Sequence, residues 1–89
     1  MTVETVISRT AELCRKYHAK EILLFGSRAK GTALERSDID IAVSGVSDFD
    51  GLQEDVADIP TLYTVDLLDM DTCRNALLLE DIRQYGRKI

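Results

Sequence analysis

Two aspartates two residues apart, Asp38 and Asp40, interrupt a run in which Ile39, Ile41 and Val43 take the alternate positions. A period of two sends successive side chains to opposite faces, so the segment predicts a strand from Asp38 to Val43. The isoleucines and valine enter a core while both carboxylates share the other face. Neighbouring carboxylates repel, and the repulsion is relieved by raising the pKa of one or by a cation between them.

The preceding segment suggests what that cation would serve. Leu23, Leu24 and Phe25 are a short apolar run that ends in Gly26-Ser27, and Arg28, Ala29 and Lys30 are good helix formers. The pattern is strand, tight turn, helix start. Glycine lets backbone N–H groups approach an anion, the helix start adds unpaired donors, and Ser27 adds a hydroxyl. Arg28 and Lys30 bring cations to the same place. A magnesium-bound triphosphate held between Gly26, Ser27 and Arg28 on one side and Asp38 and Asp40 on the other is the chemistry this spacing suits.

A two-metal phosphoryl-transfer site calls for a third carboxylate. Asp66 interrupts Leu62-Tyr63-Thr64-Val65-Asp66-Leu67-Leu68, a run of strand formers in which a charge is costly without a partner. If this strand neighbours the one with Asp38 and Asp40, the three carboxylates converge. Other motif readings fail on single residues. Gly26 to Gly31 has P-loop glycine spacing, but Thr32 stands where lysine is required. An EF-hand opening at Asp38 would need a ligand at Ala42 and glycine at Val43. Asp48-Phe49-Asp50-Gly51 reads more simply as a helix cap at Ser47 or Asp48.

Gly26-Ser27 through Asp38-x-Asp40, with Asp66 downstream, resembles the minimal nucleotidyltransferases of the DNA polymerase beta superfamily, over nearly the whole chain. Lys30 stands where many members have arginine, keeping charge without the bidentate fork. The resemblance implies an α+β fold with a small mixed sheet of about three strands flanked by about four helices. It also implies transfer of a nucleoside monophosphate, AMP from ATP, to a hydroxyl acceptor. Asp38, Asp40 and Asp66 would be catalytic and metal-binding residues for two Mg2+ ions, and Asp66 a ligand that could double as general base. Such proteins are commonly paired with helical HEPN-domain toxins, so the resemblance implies a toxin tyrosine as acceptor and an antitoxin role. The alternative is a non-catalytic module that masks a helical partner by forming a complex.

Eighty-nine residues make one domain, 1–89, which buries about 60 to 65% of its unfolded surface. Charge is in blocks: residues 37–71 carry ten acids and no base, against seven bases and four acids in residues 1–36. An acidic middle repels nucleic acid, so no direct nucleic-acid binding is expected. No segment reaches membrane-spanning length and no leader pattern opens the chain, so a cytoplasmic protein is expected. Cys14 and Cys73, both in predicted helices, are expected as buried free thiols.

Apolar spacing predicts a first helix through Val3, Val6, Ile7, Thr10, Leu13, Cys14 and Tyr17, with His18 on the surface near its end. A third helix through Phe49, Leu52 and Val56 stops before Pro60. The last helix, capped by Asp69 or Asp71, carries Leu78, Ile82, Tyr85 and Ile89 as one stripe. Leu77 and Leu79 widen that stripe beyond what a small sheet covers, which invites a partner, a second copy or another protein.

Overall fold

The computed structural model describes residues 1–89. Its elements are α1 (Val3–Lys16), β1 (Glu21–Phe25), α2 (Ser27–Lys30), β2 (Ile39–Ser44), α3 (Phe49–Ala57), β3 (Val65–Asp69), α4 (Ala76–Tyr85) and β4 (Arg87–Lys88). They build an α+β fold with one mixed four-stranded sheet in the order β3-β2-β1-β4. The strands β1 and β2, joined through α2, are antiparallel, as are β1 and β4. The β2–β3 pair is parallel, which obliges the chain to cross over the sheet, and α3 makes that crossover.

Strand alternation divides the sheet into two unlike faces. Ile22, Leu24, Ile39, Ile41 and Val43 point to one side, where they pack with Val6 and Cys14 of α1, Leu52 and Val56 of α3, and Ile59 beyond α3. The opposite face holds a smaller cluster of Leu23, Ala42, Met70 and Ile82, with Leu68, Leu78 and Leu79 against it. Thus α1 and α3 cover one face, while α4 covers only part of the other. The expected burial of Cys14 and Ile82 is met, and burial pushes the Cys14 thiol up to about 11, which keeps it protonated and inert.

Helix starts follow side-chain caps. The Thr2 hydroxyl accepts from Thr5 N–H, Asp48 from Gly51 N–H, and Asn75 from Leu78 N–H. The Asp48 cap is as expected. The last helix is not capped by Asp69 or Asp71: Asp69 completes β3, and Asp71 accepts from Gly45 N–H at 2.7 Å. The helix therefore starts at Ala76, and Cys73 lies half-buried in the preceding loop rather than in a helix.

Two further expectations are corrected. The third strand begins at Val65, three residues late: Leu62 is 95% exposed, and ahead of Val65 the segment is joined to β2 through Thr64 O, which accepts from Ile39 N–H. The last apolar stripe ends at Tyr85. Gly86 turns the chain back to form β4 along β1, a fourth strand beyond the expected three, and Ile89 N–H donates to Ile22 O. A short antiparallel return is favoured here because β1 would otherwise be an open edge.

Ile41 is fully buried at the centre of β2, whereas Leu77 is 79% exposed on α4. Ile41→Ala should lower unfolding free energy by about 2 to 5 kcal/mol, and Leu77→Ala by less than about 0.5 kcal/mol. Urea denaturation of the two variants beside the parent protein checks both.

Candidate active site

The carboxylates gather at one end of the less-covered face. Asp40 follows Ile39 at the start of β2, and the parallel register sets it directly beside Asp66 of β3. On its other side it pairs with Phe25, the last residue of β1. Asp38 stands just before β2, outside the ladder, so the strand starts one residue later than the alternation predicts. The peptide that follows it is nevertheless fixed, since Ile39 N–H donates to Thr64 O at 2.9 Å.

Phe25 leads straight into Gly26 and α2, which carries the glycine-serine turn to the same sheet end. Gly26 has φ +73° and ψ −154°, a backbone region open essentially to glycine alone. Its Cα faces the Asp40 carboxylate so closely that a Cβ there would collide with Asp40 Oδ2. Turn and carboxylate are therefore in contact across β1 and β2, an arrangement that only glycine permits. The helix is one turn long: Lys30 N–H bonds Gly26 O, while the Ser27, Arg28 and Ala29 amides precede any intrahelical acceptor.

Electrostatically the cluster is unresolved within the chain. Partial burial, then the charge of Asp66, then that of Asp38, hold the Asp40 carboxyl above its ordinary value of 3.8. Neither of the chain's two ion pairs, Lys30–Asp81 and Arg83–Glu21, reaches any of the three. No three carboxylate, imidazole or thiol groups are drawn into a ready-made metal cage. Carboxylates that repel stand apart until a cation draws them together, and hard oxygen ligands on one strand face suit Mg2+. The residues present fit a divalent ion: two carboxylates adjacent in register, a third at the adjoining strand end, and no competing cation.

Lys30 and Arg28 take different directions. Lys30 reaches α4, with Nζ 3.0 Å from Asp81 Oδ1 and 5.0 Å from the centre of the Tyr85 ring. Arg28, expected at the phosphates, donates from Nε and Nη2 to Ser37 O at 3.2 and 2.7 Å, and from Nη2 to Glu35 O at 3.1 Å. Its guanidinium lies 5.4 Å from the centre of the Tyr63 ring. The sequence held no signal for these carbonyl contacts, because backbone acceptors carry no residue signature. Ser37 did carry one: a serine before a strand commonly closes a turn, and its hydroxyl accepts from Leu34 N–H. The largest groove, about 800 Å3 between α1 and the end of α3, contains none of these residues. Shape does not mark this site; charge and backbone geometry do.

A nucleotidyltransferase domain model matches residues 8–85. Among solved structures, a toxin-antitoxin crystallised with AMP-PNP is 26% identical over 92% of this chain and 70% of that one, with a TM-score of 0.70. A mutant of the toxin-antitoxin MntA-HpeT is 28% identical, over 92% and 69% of the two chains, also at 0.70. The tri-AMPylated Shewanella oneidensis HEPN toxin in complex with MNT antitoxin matches over 96% and 69% at 24% identity and a TM-score of 0.67, a likeness of fold. No curated protein matches the chain significantly.

The raised Asp40 carboxyl has a signed consequence. The folded state holds this proton more tightly than the unfolded chain, so stability is lost as pH rises from 3.8 through the folded value, and the penalty then persists. Asp40→Asn should therefore raise the melting temperature of the metal-free protein at pH 7, with the gain closing below about pH 3.8. Added Mg2+ should raise the melting temperature of the parent protein and not of the variant. Melts from pH 3 to 8, with chelator or with Mg2+, test both. Gly26→Ala, which must leave its backbone region and displace Asp40, should cost about 1 to 3 kcal/mol, read in the same melts, and should also remove the Mg2+ response.

Proposed function

Because the chain belongs to the nucleotidyltransferase domain family, we propose that it moves AMP from ATP to a hydroxyl acceptor, a tyrosine on a HEPN-type toxin, and so acts as an antitoxin. The observation that carries this reading is the register match of Asp40 with Asp66 beside Gly26, which gathers carboxylates and a glycine turn at one sheet end. The toxin-antitoxin structure with AMP-PNP supports both the nucleotide and the kind of partner.

In this reading the acceptor oxygen attacks the α-phosphorus of ATP. The new O–P bond forms as the bond to the β-phosphate oxygen breaks, and pyrophosphate leaves with that electron pair. Asp38 and Asp40 would hold the divalent ions, and Asp66 would complete the set and take the hydroxyl proton directly or through water. Two Mg2+ ions, when bound, supply neutralisation of the triphosphate charge and acidify the acceptor hydroxyl. Gly26 and Ser27 present their backbone N–H groups and the Ser27 hydroxyl to the phosphates. Little covalent work falls to the protein, so positioning and charge account for most of the rate.

A second reading is favoured by α4. Leu77 and Tyr85 are 79% and 50% exposed on one helix, an apolar surface that a complex would cover. In that case the chain masks its partner without chemistry. No helix is long and apolar enough to cross a membrane, so this surface is not explained by a membrane span.

Intact mass spectrometry of a HEPN toxin incubated with the protein, Mg2+ and ATP decides between the two. Mass gains of whole AMP units are expected, and none with an Asp38→Ala, Asp40→Ala double variant. Asp40→Asn, which keeps volume and weakens one ligand, should lose turnover by at least about a hundredfold while remaining folded. Toxin inhibition that is stoichiometric, independent of ATP and retained in the double variant would instead establish the masking role.

A further inference from the structure

We infer that Arg28 is a positioning residue that sets Asp38 in place for its cation, by clamping the carbonyl of the residue immediately before it. This rests on the metal-binding reading proposed above.

Asp38 lies outside the β-ladder and is one of three carboxylates that repel. Its orientation therefore depends on the two peptide units that flank it. The downstream unit is held by the sheet through Ile39 N–H and Thr64 O. The upstream unit is held by Arg28, which gives Ser37 O two donors and Glu35 O a third. The rest of the connection from α2 to β2 is bonded mainly to itself: Ser37 N–H to Leu34 O, and Leu34 N–H to the Ser37 hydroxyl. Beyond that turn, the connection is tied by Thr32 to Ser27 O, back at α2. Arg28 is thus the side chain that couples the turn before Asp38 to the glycine-serine turn, and Tyr63 supports the guanidinium from the β3 side.

The planar fork is what this clamp requires. One guanidinium spans two carbonyls at fixed separation, which an ammonium on a flexible stem cannot reproduce. A contact behind a ligand acts on metal affinity, since outer partners orient the groups that touch the ion. With Nε and Nη2 committed to these carbonyls, Arg28 acts on the carboxylate through the backbone that carries it.

Mn2+ binding by the full chain, followed by electron paramagnetic resonance without nucleotide, tests this. Parent protein, Arg28→Ala, Arg28→Lys, Asp38→Asn and the Arg28→Ala, Asp38→Asn double variant are compared, with melting temperatures to verify folding. Arg28→Ala is expected to weaken Mn2+ binding roughly tenfold, Arg28→Lys to fail to restore it, and the double variant to bind no worse than Asp38→Asn. A clamp that merely stabilised the fold would move the melting temperature and leave this non-additivity absent. Parent-like Mn2+ affinity in folded Arg28→Ala, full affinity in Arg28→Lys, or additive losses in the double variant would each overturn the inference while leaving the metal site standing. Absence of Mn2+ binding by the parent protein would overturn the metal-binding reading, and this inference with it.

Discussion

The parallel pairing of β2 with β3 is the interaction on which the rest of the structure depends. It sets Asp40 and Asp66 side by side in register, an arrangement that costs free energy in the absence of a counter-charge. The sheet can hold that pair because the same strands bury Ile39, Ile41 and Val43 on the other face, against α1 and α3. Slipping the register by one residue would expose the isoleucines and bury the aspartates, so the core enforces the electrostatic strain. The crossover helix α3 is needed for parallel pairing at all, and its cap at Asp48 decides where that crossover begins.

The two sheet faces divide the labour. One is a complete core, while the other is covered by α4 only around Leu23, Ala42 and Ile82, and the end near Asp40 is left accessible. The largest groove lies elsewhere, between α1 and the end of α3, and the candidate site is an open edge of charge and backbone. The exposed Leu77 and Tyr85 lie on the same α4 that leaves this edge uncovered.

The acidic block of residues 37–71 is less uniform than its composition suggests. Asp48 caps a helix, Asp55 accepts the Tyr17 hydroxyl at 2.6 Å, and Asp71 accepts Gly45 N–H. These acids are structural acceptors rather than a merely solvated face, and their charge is partly offset by the donors they bind. Asp38, Asp40 and Asp66 are likewise outside the chain's two ion pairs, and they stand together at one sheet end.

Much of this was legible in residue order. The apolar run ending at Phe25 identified β1, and alternation identified β2 with Asp40 on the face away from Ile39 and Ile41. The glycine-serine turn announced the short helix at Ser27–Lys30, and the aspartate inside Leu62 to Leu68 marked the strand beside them. Such features are local, because a side chain's face is set by the period of its own strand and a turn by its own glycine. What the sequence could not supply was contact between distant segments. The partnership of Asp40 with Asp66, the approach of Gly26 to the Asp40 carboxylate, the turn of Arg28 toward backbone carbonyls and the return of Arg87–Lys88 along β1 all depend on which strand lies next to which. Main-chain acceptors look alike in every residue, and strand neighbours are chosen by burial summed over the whole core. Those relations were decided only when the chain closed.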